Sequence, residues 1–230
     1  MKTRIFSTLA ILSLIFATNM LTACDDDDDD DGEIAAPTVS DSSASGTAGT
    51  NSDEYVDLGL SVKWARYNVG ASTPDDYGDY FAWGDISAAT AAAVSPYDDE
   101  EATDFAGDAT YDAATNEWGS NWKTPTKTQL EELVSDCTWT WGTYGGTSVK
   151  GFLVTGSNGN SIFLPAAGYI TVSSETATTS YAGTTGYYWS STPNTSDTDN
   201  AYFLHLYNCD SQAVTDGDRS LCRPVRAVIE

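Results

Sequence analysis

The chain has 230 residues, of which 34 are acidic and 10 basic, for a formal net charge of −24. A surface so acidic repels phosphate backbones and excludes nucleic-acid binding, while favouring solubility, divalent cations or cationic partners. With 40% hydrophobic residues, the chain can bury one ordinary core.

Lys2 and Arg4 precede an apolar run from Ile5 to about Met20, the order of a secretory signal. That run is short for a membrane span. Leu21-Thr22-Ala23-Cys24 resembles a bacterial lipobox, which implies removal of residues 1–23 and acylation of Cys24, so that a lipid and not a helix forms the tether. A secretory signal with a cysteine beside its cut is the plainer alternative. Seven aspartates, Asp25 to Asp31, follow directly. Like charges in a run form a solvated spacer. Placed behind a lipidated cysteine, they also resemble the surface-export signal of gut bacterial lipoproteins. The expectation is an outer-membrane lipoprotein, held to lipid through Cys24 and facing the cell exterior. Residues 24–52 are rich in Ser, Thr, Gly and Ala without an apolar period and read as a linker, which leaves 53–230 as the folded domain.

Within that domain, Tyr55 to Ala65 alternates apolar with polar or small residues, as a strand or short hairpin does. Turn residues gather from Gly70 to Asp79, and Tyr80 to Trp83 reads as a short aromatic strand. Asp85 to about Ala109 has few large apolar residues and reads as an irregular surface insertion. Asp112 to Asn116 can begin a short helix that Gly119 stops. The clearest helix follows Thr126: Thr126 is an N-cap, Gln129 its capping-box partner, and Leu130, Leu133 and Val134 form one apolar face. Strand candidates are Thr138–Trp141, Gly151–Thr155, Ser161–Leu164, Tyr187–Ser190, Tyr202–Tyr207 and Leu221–Val228, with a hairpin turn at Ser157 to Asn160. Early helices and late strands predict an α+β domain with an antiparallel sheet.

Three cysteines follow Cys24. Cys209 and Cys222 flank a polar, turn-rich stretch and are the favoured disulfide pair; the alternative is that Cys137, Cys209 and Cys222 are all small buried hydrophobes. Asp98, Asp99, Glu100, Glu101, Asp104 and Asp108 crowd one loop. Hard cations favour such oxygen-rich loops, so Asp98, Asp99, Glu101 and Asp104 are the calcium candidates, against the reading of a solvated acidic loop. No other cofactor is implied. His205, the only histidine, lies within a strand-like run and reads as a satisfied strand histidine. No nucleophile elbow, phosphate loop or dinucleotide fingerprint occurs, so no enzymatic activity is expected.

Val56 to Ala65, Asn68 to Ala71, Tyr77 to Gly84, Trp122-Lys123-Thr124-Pro125-Thr126, Cys137 to Trp141, Ser161 to Tyr169, Tyr188 to Thr192 and Arg223-Pro224-Val225-Arg226 resemble, in order, blocks of the Fibrobacter major paralogous domain family. That family is similar to C-type-lectin-like domains and to the fold of formylglycine-generating enzymes. The resemblance implies a C-type-lectin-like fold with one or two short helices, long loops and a surface location; Lys123 stands where the related block carries arginine. Trp64, Trp122 and Trp189 are expected in the core, because each lies inside such a block. The expected function is a non-catalytic binding or adhesion module for a glycan or protein ligand, with a structural subunit of an envelope or fimbria-like assembly as the alternative. Loops are where ligands are met. Trp139, Trp141 and Tyr144 supply flat faces there, and Asn194, Asp197, Asp199 and Asn200 supply polar groups, unless the aromatics complete the core and the polar loop is a plain turn.

Overall fold

The computed structural model describes residues 38–43, 46–48, 53–89, 96–97, 99, 101–173, 176–208 and 211–230. Cys24, the aspartate run and the signal segment therefore lie outside the described residues, as do Asp98, Glu100 and Cys209. In chain order the elements are β1 (Thr38–Val39), β2 (Gly46–Ala48), β3 (Asp53–Val56), β4 (Lys63–Ala65), α1 (Ala113–Trp118) and α2 (Lys127–Asp136). The second half is all strand: β5 (Thr138–Tyr144), β6 (Lys150–Thr155), β7 (Ser161–Pro165), β8 (Tyr169–Ser173), β9 (Thr176–Ser180), β10 (Thr185–Pro193), β11 (Asn200–Tyr207), β12 (Ser211–Asp218) and β13 (Val228–Ile229).

This is a predominantly β structure, and it overturns the expected α+β, C-type-lectin-like class. The strands form four sheets, ordered β1-β5-β6-β7, β10-β11-β12, β13-β4-β3-β2 and β8-β9. The misreading has a physical source. β9 is Thr-Ala-Thr-Thr-Ser and largely exposed, and β12 is Ser-Gln-Ala-Val-Thr-Asp-Gly-Asp. Neither buries enough apolar surface to announce a strand, yet each completes the backbone pairing of a neighbour that does. Leu221–Val228 errs in the opposite sense: Cys222, Val225, Ala227 and Val228 are buried, but only the segment's last residue enters a strand, β13.

The linker reading also changes. β1 pairs in parallel with β5, and β2 pairs with β3, so paired strands reach back at least to Thr38, ahead of the boundary expected near residue 53. Asp41 fixes this segment: its carboxylate accepts from Arg66 Nε at 2.7 Å and from the Tyr144 hydroxyl at 2.6 Å, and its side chain is only 2% exposed. Arg66 reaches Glu54 at 2.7 Å as well.

Where local chemistry is strong, the expectations hold. Asp112 caps α1 and Gly119 ends it; Thr126 and Gln129 form the capping box of α2. β3 and β4 make a hairpin, as do β6 and β7 across Ser157 to Asn160. Trp64, Trp122 and Trp189 are each 1% exposed or less. One core cluster gathers Phe81, Trp83, Phe105, Trp118, Trp122, Trp189 and Val225. A second lies under α2 and joins Leu130 and Leu133 to Trp64, Phe152, Val154, Ile162, Leu164, Leu204 and Leu206. Phe105 at 6% and Ala102 at 7% exposure show that the 85–109 stretch is more than surface insertion, since it plugs the first cluster.

The Trp122–Thr126 block is structural throughout. Thr124 gives its N–H and hydroxyl to the buried Asp112 carboxylate, which also accepts from Gly107 N at 2.8 Å and Ala114 N at 3.0 Å. The Pro125 carbonyl accepts from Ser191 N. Lys123 makes a surface ion pair with Glu230 at 2.7 Å. Arg226 is fully buried and donates only to neutral acceptors: Asn68 Oδ1 and the carbonyls of Ala65, Arg66 and Phe163. Burial pushes its guanidinium down to about 10.

A candidate aromatic binding face

The β10-β11-β12 sheet has two faces of opposite character, because side chains alternate along each strand. Tyr188, Leu204 and Leu206 point to the second core cluster. On the other face the register aligns Trp189 with Phe203, Tyr187 with His205, and Thr185 with Tyr207. Cover on this face is uneven. At the Trp189–Phe203 end the first core cluster closes over it. At the Tyr187–His205–Tyr207 end the β8-β9 hairpin reaches across, and the rings stay partly open: Tyr207 is 41% exposed.

The hairpin is held at its root. Ile170 and Cys222 exchange backbone hydrogen bonds, and Ile170 and Val172 pack on Tyr80, Ala82, Ala167 and Cys222. Tyr169 has the opposite parity and meets Tyr187 edge-on at 5.2 Å between ring centroids. After β9 the chain turns at Tyr181, the only non-glycine among the described residues with positive φ, at 61°. Its carbonyl accepts from Thr184 N, Thr185 N and the Thr184 hydroxyl, which locks the turn. The ring is left 58% exposed, 5.8 Å from Tyr169 and 6.4 Å from Tyr187. A bulky residue in this conformation is strained, and such strain gathers at functional sites. Gly168 admits the close approach, since a Cβ there would collide with the Ser180 carbonyl.

His205 lies in the middle. It stacks on Tyr187 at 4.5 Å and 23°, and touches Tyr207 at 3.7 Å. Its Nε2 is buried with no hydrogen-bond partner among the described residues, so the satisfied-histidine reading is corrected. Desolvation, with help from the nearby Arg223 cation, lowers His205 to about 4, so the ring is neutral at physiological pH. A buried polar atom without a partner costs about 1–3 kcal/mol. Leu204 and Leu206 show what the strand uses where packing alone decides. Desolvation likewise raises the Tyr187 hydroxyl to about 12. Beneath the face, Arg223 is sandwiched between Trp189 at 3.9 Å and Phe203 at 4.0 Å, with burial lowering it to about 9. Gly217 leaves room for it: a Cβ there would meet the guanidinium at 3.2 Å.

The residues singled out in sequence lie elsewhere. Trp139 and Trp141 share one face of β5, where both pack edge-on against Phe152 beside the second core cluster. Tyr144, of opposite parity, leans on Phe163 and serves Asp41. Asn194, Asp197 and Asn200 form a hydrogen-bonded turn with Asp216 between β10 and β11, while the Asp199 carbonyl accepts from Arg219 N. The two groups thus belong to different sheets and serve different neighbours, and they do not compose the groove expected of them. Among the described residues no three acidic, histidine or cysteine side chains converge as a metal site. Asp99, Asp104 and Asp108 instead accept from the backbone N–H two residues on, and Asp104 also takes the Thr192 hydroxyl. Cys222 is a free, buried thiol, against its expected bridge to Cys209, and Cys137 is free as well. Sequence did carry a sign of the real face: Phe203-x-His205-x-Tyr207 opposite Tyr187-x-Trp189 is an aromatic alternation. It was masked by the equally apolar Leu204 and Leu206 between.

Fold and site define a predominantly β domain with one open aromatic face. A family model described as a domain of unknown function (DUF8237) matches residues 147–228, the segment from the β5-β6 turn to β13 that contains the whole face. No curated protein and no solved structure matches the chain significantly.

Proposed function

We propose that the protein is a lipid-anchored surface module that binds its ligand non-covalently through the Tyr169–Tyr181–Tyr187–His205–Tyr207 face. One observation carries this reading: where the other described Phe, Trp and Tyr rings are buried or half-buried, Tyr181 and Tyr207 are the exposed large hydrophobics, and both border His205 or Tyr187. Exposed apolar groups gathered in one place mark interaction sites. His205 serves as a flat neutral ring there, and no cofactor is invoked. The Leu21–Cys24 sequence supports the anchor and the outer-membrane location, with Asp25 to Asp31 supporting exposure to the exterior. Kinship with the Fibrobacter major paralogous domain family is part of the same reading. A role as a structural subunit would call for an open strand edge. β12, the outer strand of its sheet, carries Asp216 and Asp218, charges that disfavour pairing with another chain.

The test is a glycan and protein array probed with the secreted chain bearing Cys24→Ser, with calcium and with chelator, beside its Tyr187→Ala and Tyr207→Ala variants. Signal lost in both variants supports the face; signal that both retain refutes it. Labelling with a palmitate analogue should tag the wild type and not Cys24→Ala.

A further inference from the structure

We propose that the occupant of this face is a neutral glycan chain, its pyranose rings laid across the tyrosines. The inference rests on the binding-module reading above and adds the ligand's chemistry.

Three observations select it. The first is shape. The face is a row of rings, Tyr181, Tyr187, His205 and Tyr207, at centroid spacings of 3.7 to 6.4 Å and successive inclinations of 53°, 23° and 45°, with Ala213 of β12 opposite His205 as a low, exposed margin. A sugar offers a flat C–H face that stacks on such rings and hydroxyls that point outward at its rim.

The second is charge. The chain carries −24, yet among the described residues the groups that act on Tyr187 and His205 are tyrosines and Arg223, with no carboxylate among them. A cationic partner would be drawn to the acidic surface elsewhere, and a polyanion would be repelled by the molecule as a whole. An uncharged ligand is the one for which this face is the most favourable place. The third is polar detail. Buried Tyr80 and Tyr188 spend their hydroxyls on the carbonyls of Ala167 and Pro165. Those of Tyr169, Tyr181, Tyr187 and Tyr207 have no such bond among the described residues, so each can serve a sugar hydroxyl.

Affinity electrophoresis in gels cast with soluble β-glucan, mannan, dextran or polygalacturonate, using the secreted Cys24→Ser chain, reads the class directly. The expected result is retardation by at least one of the three neutral polymers and none by polygalacturonate. Tyr187→Ala and Tyr207→Ala should each weaken that affinity roughly tenfold, about 1.4 kcal/mol, while Tyr187→Phe, which keeps the ring, loses much less. His205 is the only histidine, so its ring signals in NMR report this face alone, and they should shift on adding the retarding polymer. Should Tyr187→Ala fail to fold, Tyr207→Ala and the His205 signals decide alone. Retardation by none of the neutral polymers overturns the ligand class. A polyanion or protein ligand whose binding the tyrosine variants abolish also overturns the class but leaves the face as the binding site. Neutral-polymer binding that neither the variants nor the His205 signals register overturns both.

Discussion

Tyr181 makes a sharp test of whether conformational strain is stored at the face. At φ 61° a residue with a Cβ is disfavoured by about 1–2 kcal/mol, a penalty that glycine escapes. At an ordinary position the order is reversed, and glycine is worse than alanine by about 0.5–1 kcal/mol because its unfolded chain is freer. Tyr181→Gly and Tyr181→Ala remove the same ring and the same contacts to Tyr169 and Tyr187, and both keep the carbonyl that Thr184 and Thr185 use. Their difference therefore isolates the backbone. The balance favours glycine by about 0.5–1 kcal/mol, or a melting temperature about 1–4 °C higher at this chain length. Paired thermal melts by circular dichroism, with urea titrations for the free-energy scale, supply the measurement. An alanine variant as stable as the glycine variant, or more so, would refute the strain. Both variants should lose ligand affinity alike, since both lack the exposed ring.

Asp112→Ala should cost about 3–5 kcal/mol, a large share of a domain's roughly 5–15, because it strands the buried N–H groups of Ala114 and Thr124 and the Thr124 hydroxyl, besides releasing Gly107; urea unfolding reads this, and Thr124→Val in the same background should then add little. Arg226→Lys should fail to rescue the fold relative to Arg226→Met, since an ammonium cannot span Asn68 and three separate carbonyls; equal stability of Arg226→Lys and wild type in thermal melts would contradict the network. His205 is neutral in the fold and titrates near 4, against 6.5 when free, so the unfolded chain binds the extra proton between those values. Stability from this group is full above pH 6.5 and falls as pH drops toward 4. Melts across pH 4–7.5 should show His205→Phe with a smaller loss over that window than the wild type.

Legibility followed from how local the governing physics was. The capping residues Asp112, Thr126 and Gln129 act within a few positions of themselves, and the helices they start were readable. Trp64, Trp122 and Trp189 sit among apolar neighbours, and their burial was readable too. β1, β9 and β12 were not, because their pairing is dictated by β5, β8 and β11, and their own residues are small, polar or exposed. The same holds for the site. Trp139 and Trp141 look like ligand-facing aromatics until β5 is paired with β6, which sets both edge-on against Phe152 and the second core cluster. Tyr207 looks like a strand aromatic, and whether it ends covered or open depends on how far the β8-β9 hairpin reaches across the sheet. That reach is set by the Ile170–Cys222 backbone bonds, between residues far apart in the chain.

The Asp41 clasp decides how this molecule would bear a load. Under the lipid anchor proposed above, a tug on the ligand would travel along β1, which is joined to β5 by only two residue pairs. The next element under tension is the Asp41 carboxylate, gripped by Arg66 and Tyr144 at the edge of the fold. Both tryptophan-rich cores lie behind it and take no strain until it opens. The first part to give way is thus a peripheral strap, which can let out slack and re-engage while the aromatic face keeps its shape.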